Sequence, residues 1–277
     1  MLANPYPVDG RVTWHPPEAR GFAPMNTYVL LEGDSALIID TGISVHTGAL
    51  LEQLAVVLPP SAEIAVLHTR IGEYTTISNT VPIAERFRVA TIHSEQQDSP
   101  RWVDFRPGHG RDVGDLDALA GTRIQLFVVP DTIAVDAAAT RVLDIFHATL
   151  RLLPTSWIYD RRTRTLFTSD VFSHGLRARP DGRWLLTDAD DETTLDSMRR
   201  HLLATRYWWL AGARLEDIRA SLADTFARYE VETIAPDFGC VLSGRELVGR
   251  HVEMLDMILA EAQQMAAVPM ARAGANP

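Results

Sequence analysis

Three side chains able to handle a proton or an anion fall close together in the stretch Val66-Leu67-His68-Thr69-Arg70-Ile71-Gly72-Glu73-Tyr74-Thr75-Thr76. His68 or Glu73 could take a proton as a general base, and Arg70 could clamp a carboxylate or phosphate. The apolar run Ile64 to Leu67 before them reads as a buried strand. From Ile77 to Phe87 the apolar residues recur at helical spacing. The stretch is therefore a strand-to-helix loop at the carboxyl end of a strand, where open α/β sheets place their chemistry. Each residue also has a plainer role. His68 could be a buried, hydrogen-bonded histidine. Glu73 would favour the dipole of the helix it opens.

Other candidates are dispersed. Asp170 closes the run Thr165 to Thr168, and Asp237 and Cys240 follow a late strand. Asp40 ends an early strand, where it would cap backbone amides. His93, His109, His147 and His174 are scattered. His93 and His174 lie near strand ends, and His147 beside Phe146 is expected to face the core. Tyr207-Trp208-Trp209 reads as a helix packing face. No Gly-x-Ser-x-Gly elbow and no Gly-rich dinucleotide fingerprint occurs.

The elements that must position these groups follow from periodicity. Strands are expected at Gly10 to His15 and Asn26 to Glu32. A turn at Gly33-Asp34 leads to a returning strand, Ala36 to Asp40. His46 to Leu58 is an amphipathic helix stopped by Pro59-Pro60. Arg88 to Ile92 is a further strand. Periodicity fades from Gln96 to Leu116, a long loop that carries Trp102, Phe105 and His109. Thr122 to Val129, Arg141 to Phe146, Ser156 to Asp160 and Thr165 to Thr168 read as strands of a second sheet. Phe172 to Asp188 is a loop, and Asp191 to Tyr229 holds two helices meeting near Gly212. A strand at Thr233 to Ala235 and a helix from Gly244 to Met265 close the pattern. Two mixed sheets packed face to face with helices outside, an αββα sandwich, fit that order. With no repeat or linker, one domain over residues 1–277 is expected.

Composition narrows the partners. The net charge of −10 disfavours nucleic acid and anionic membranes. Lysine is absent, which excludes Schiff-base chemistry and a lysine-dependent phosphate loop. The single cysteine, Cys240, permits no internal disulfide or thiolate cluster. Met1 to Pro7 lacks the marks of a secretory signal, and no apolar run reaches the ~18 residues of a membrane span. A cytoplasmic protein is expected.

The ordered motifs resemble the metallo-β-lactamase superfamily, and within it the diiron domain of flavodiiron proteins and the stand-alone oxygen-binding diiron proteins. The likeness runs from about Asn26 to Met265. It is carried by Asn26-Thr27-Tyr28 with Leu37-Ile38-Ile39-Asp40-Thr41-Gly42. Pro154-x-Ser156 with Leu166-Phe167-Thr168-Ser169-Asp170-Val171-Phe172, and Ile234-Ala235-Pro236-Asp237-Phe238-Gly239, complete it. The family's loop motif is His-x-His/Glu-x-Asp-His; here it reads His68-x-Arg70-x-Gly72-Glu73. By this resemblance His68 and Asp170 stand at a histidine ligand and the bridging aspartate, and Glu73 stands at a histidine. Arg70, Gly72, Leu152 and Phe238 replace ligands, so both iron sites lose donors. No flavodoxin domain is expected in the chain. A homodimer is implied, as is an external electron donor if the protein is redox-active.

Three readings follow. In the first the metal site is degenerate, the protein needs no cofactor, and it serves as a small-molecule-binding, regulatory or scaffold protein. A guanidinium about 4 Å from a divalent ion is repelled by roughly 8 kcal/mol at an effective dielectric near 20. Arg70 would instead pair bidentately with Asp170 or Glu73 and fill the space of the metal. In the second, iron, manganese or zinc binds a rebuilt site on His68, Glu73 and Asp170, helped by Asp237, Cys240 or a loop histidine, for oxidoreductase or oxygen-handling chemistry. In the third, a metal-free enzyme uses His68 or Glu73 as base and Arg70 as anion clamp.

Overall fold

The computed structural model describes residues 1–96 and 117–265. The loop expected from Gln96 to Leu116, with Trp102, Phe105 and His109, lies almost wholly outside them. Among the described residues the strands form two sheets. The first holds β1 (Leu2–Val8), β2 (Gly21–Glu32), β3 (Ser35–Ile39), β4 (Glu63–Leu67), β5 (Val89–Ser94) and β6 (Arg123–Leu126), side by side in that order. The second holds β7 (Asp131–Ala134), β8 (Val142–His147), β9 (Ser156–Asp160), β10 (Thr165–Ser169), β11 (Leu185–Leu186), β12 (Thr233–Pro236) and β13 (Val241–Ser243). Its spatial order is β11-β13-β12-β10-β9-β8-β7.

Alternation along the strands builds the layers. In β3, Leu37 and Ile39 pack between the sheets with Tyr28, Leu67, Ile158 and Phe167. Ala36 and Ile38 point the other way, onto a cluster with Leu50 and Leu54 of α1 (Thr47–Val57) and Val81 and Ile83 of α3 (Thr80–Arg86). In β10, Phe167 enters the inter-sheet layer while Leu166 joins the outer one. That outer layer holds Met198 and Leu202 of α4 (Leu195–Leu203), Leu222 of α5 (Glu216–Arg228) and Leu255, Ile258 and Leu259 of α6 (Arg245–Gln264). The result is the expected αββα sandwich. No helix among the described residues is long and apolar enough to cross a membrane.

Several boundaries differ from the sequence reading. Residues 10–15 form turns; the edge strand is β1, whose Pro5 and Pro7 pair with β2. Proline lacks a ladder N–H, so it is tolerated on an edge that needs no second partner. The segment assigned to the second sheet at Thr122 to Val129 is β6, which runs parallel to β5 in the first. A parallel neighbour needs a long crossover, and the stretch from Gln96 supplies that length. The helix expected from Ile77 starts earlier as α2 (Tyr74–Ile77) and breaks before α3. At the break the Asn79 side chain donates to the carbonyls of Thr41 and Ile43. His147, expected to face the core, is exposed at the end of β8.

Candidate functional site

The candidate residues meet at one end of the sandwich. The β4–α2 loop brings His68, Arg70 and Glu73; the end of β10 brings Asp170; the end of β12 brings Asp237. Backbone bonds between sheets fix this end: Ser156 N–H donates to Thr69 O (2.8 Å) and Asn26 N–H to Asp237 O (2.8 Å). Asn26 Nδ2 also donates to the carbonyls of Pro236 (3.0 Å) and Gly239 (2.9 Å). Asp40 caps the loop, accepting from Thr69 N–H and Oγ1, both at 2.8 Å. Burial, together with the charge of Asp237, lifts its pKa to about 8.

Arg70 is the centre of the site. Its side chain is only 1% exposed. Nη2 donates to Asp170 Oδ1, Nε to Thr155 Oγ1 at 3.0 Å, and Nη1 lies 3.6 Å from Glu73 Oε2. Burial works against its charge, but Asp170, Tyr207, Asp237 and Glu73 outweigh it and raise its pKa. Arg206 closes the network from the other side. It donates to Glu73 Oε2 (2.9 Å) and reaches Asp170 Oδ2 (3.3 Å). Tyr207 donates its hydroxyl to the same Asp170 oxygen at 3.0 Å. The expected bidentate pair is instead a bridge: one guanidinium spans two carboxylates and a second spans them again.

Other predicted residues stand apart. His68 is buried, with Nε2 bonded to Thr80 Oγ1 at 2.8 Å, and burial pushes its pKa down to about 3. Asp237 Oδ2 accepts from Thr75 Oγ1 at 3.1 Å, while its Oδ1 has no partner among the described residues. Burial and then the charge of Asp170 lift its pKa to about 7, against Arg70, Arg206 and Thr75. Cys240 is fully buried and its thiol is pushed up to about 12, mainly by burial. Leu152 lies exposed on a loop. Phe238 is buried against Trp14 (5.6 Å between centroids) and the edge of His15.

No motif or spacing in the sequence points to Arg206, and Tyr207 reads there as part of a packing face. The available signal was a charged residue, Arg206, directly before the apolar run Tyr207-Trp208-Trp209-Leu210. Thr155, which holds Arg70 Nε, carries no sequence signal.

These residues do not fit a dimetal centre. Both oxygens of Asp170 accept from guanidinium or phenol donors, Glu73 is ion-paired to two arginines, and His68 turns to Thr80. Among the described residues no three His, Cys, Asp or Glu side chains gather as ligands would. The cavity beside the network, lined by Trp14, Asp170, Ser173, His201, Arg206 and Phe238, has about 10 Å³ of free space. That is room for about one water.

No family model and no curated protein matches the chain. Solved structures do. Rubredoxin oxygen:oxidoreductase from Desulfovibrio gigas aligns at TM-score 0.64 and 16% identity, covering 87% of this chain and 54% of that one. The flavodiiron protein from Giardia intestinalis aligns at TM-score 0.63 and 16% identity, covering 93% and 58%. A flavodiiron core from Synechocystis, solved after metal soaking, aligns at TM-score 0.62 and 18% identity, covering 91% and 58%. The chain thus spans little more than half the length of each. It has the metallo-β-lactamase fold in the form found in flavodiiron proteins.

Proposed function

We propose that this is a flavodiiron-fold protein in which an Arg70–Asp170–Arg206–Glu73 ion-pair network stands in for the dimetal centre. Its role is that of a small-molecule-binding, regulatory or scaffold protein, not of an oxygen-reducing enzyme. One observation carries the reading: every oxygen of Asp170, the position that corresponds to the bridging ligand, is taken by Arg70, Arg206 or Tyr207. A divalent ion there would have to displace two guanidiniums against repulsion of several kcal/mol. The network also does what a shared metal does mechanically, joining the first sheet's β4 loop to the second sheet's β10 end and to the segment after α4. The reading keeps the single domain, the homodimer and the cytoplasmic setting expected from the sequence.

Thermal unfolding in the presence of iron(II), manganese(II), zinc(II) or a chelator tests it. A ligand that binds the folded state alone must raise Tm. The proposal predicts no shift with any of them. A rise with one metal that vanishes in Asp170→Ala would refute it.

A further inference from the structure

A second polar site lies away from Arg70, in an open cleft of about 550 Å³ along the segment that follows Asp170 and the start of α4. Two residues of its wall, Asp191 and His174, are joined in a relay through His251, which is buried behind them. Asp191 Oδ2 accepts from His251 Nε2 at 3.0 Å, and His251 Nδ1 faces His174 Nε2 at 2.9 Å with the two rings stacked. Burial opposes the Asp191 charge, but Thr193, His251 and Arg250 outweigh it and hold it ionised. An ionised carboxylate accepts only, so His251 carries its proton on Nε2 and its Nδ1 is bare. That bare nitrogen must accept from His174 Nε2–H. The remaining nitrogen, His174 Nδ1, is therefore an unprotonated acceptor, and it has no partner among the described residues. Burial, reinforced by His251 and His201, keeps His174 neutral.

The cleft offers two more unused groups, the Arg183 guanidinium and the Glu192 carboxylate, neither paired among the described residues. The other charges of its wall are consumed: Arg177 with Asp190 and backbone carbonyls, Arg179 with Asp181, Asp191 with Arg250 and His251. Three arginines and three acids line the cleft. This balance disfavours a bare anion or cation and suits a ligand of no net charge that carries both signs.

We propose that this cleft binds a small zwitterion of the α-amino-acid class, its carboxylate on Arg183, its ammonium on Glu192, and an N–H donated to His174 Nδ1. The inference names a ligand for the binding role proposed above but rests on other residues. Metal in the Arg70 site would overturn that role without touching this cleft.

The test uses the full chain labelled with ¹⁵N. Long-range histidine spectra should show His174 protonated at Nε2 alone. The common L-amino acids are then titrated singly, following His174 Nδ1 and the heat of binding. At least one should bind and shift that resonance. Arg183→Ala and Glu192→Ala should each weaken it about tenfold or more, because each removes a charge-assisted contact. Both positions lie at the cleft surface without partners, so folding is preserved. The desamino acid and the decarboxylated amine of the same ligand should bind as weakly as those variants allow. The proposal is overturned if no amino acid at millimolar concentration moves His174 Nδ1, or if binding is indifferent to both variants.

Discussion

Removing Arg70 is the sharpest perturbation available. In Arg70→Ala the side chain of Asp170, which is fully buried, loses its Nη2 donor, and Glu73 loses one of its two cationic neighbours. Taking one partner from a buried ion pair costs about 3–5 kcal/mol, because a charge is left without compensation. Two features set the expected value within that range. Tyr207 at 3.0 Å and Arg206 at 3.3 Å still serve Asp170 Oδ2, so the charge is not abandoned. Asp170 itself lines the small cavity, and water entering the vacated guanidinium space would solvate Oδ1. We expect ~3–4 kcal/mol, a large share of a typical stability of about 5–15 kcal/mol. Arg70→Lys should recover less than half of it, since an ammonium cannot reproduce the fork that spans Thr155, Asp170 and Glu73. Urea unfolding followed by tryptophan fluorescence gives the numbers, and a cycle with Asp170→Ala isolates the coupling. The double variant should be more stable than the sum of the singles implies by at least ~1 kcal/mol. A loss below ~1 kcal/mol for Arg70→Ala, or strict additivity, would show that the ion pair is not what holds this end together.

Asn26→Ala should cost about 2 kcal/mol in the same assay, because the buried Gly239 carbonyl loses its side-chain donor and the Pro236 carbonyl keeps only the Tyr28 hydroxyl. Gly239→Ala should be at least as damaging, on the order of 3 kcal/mol: the residue has φ +84°, and a Cβ there would run into the Ser173 carbonyl. A pH effect follows from His15, buried beside Tyr6 with its pKa pushed down to about 3 by burial and by His201. The fold favours neutral imidazole, so its contribution is complete above pH 6.5 and falls by ~1.4 kcal/mol per pH unit from there towards pH 3. Unfolding at pH 6 and pH 5 should therefore show a drop that is smaller in His15→Gln by about that amount; equal drops would contradict the assignment.

How much of this was legible in the sequence depends on which interactions are local. Strands such as β3 and β4 announce themselves because their side-chain alternation or apolar run is written in consecutive residues. The short strands β7 and β13 do not: their place in the sheet is set by β8 and β12 beside them, not by their own few side chains. The loop from His68 to Glu73 was visible as a site because polar groups follow a buried run, and the pairing of Arg70 with Asp170 followed from filling a position that lacks a metal. Arg206 was not visible because its partners, Glu73 and Asp170, are distant in sequence and no spacing rule connects them. His174 stands out in the sequence as a histidine near a strand end, but its pairing with His251 is hidden for the same reason: one follows β10, the other lies on α6, and only the packing of α6 beside that loop stacks the rings.

In the reading proposed above, guanidiniums and not metals occupy this centre. Elemental analysis of untagged protein, before and after anaerobic incubation with iron, manganese and zinc, tests it most directly, with Asp170→Ala carried alongside. Far less than one equivalent of any metal is expected, the same in both proteins. Near-stoichiometric metal in the wild-type chain that is lost in Asp170→Ala would contradict it.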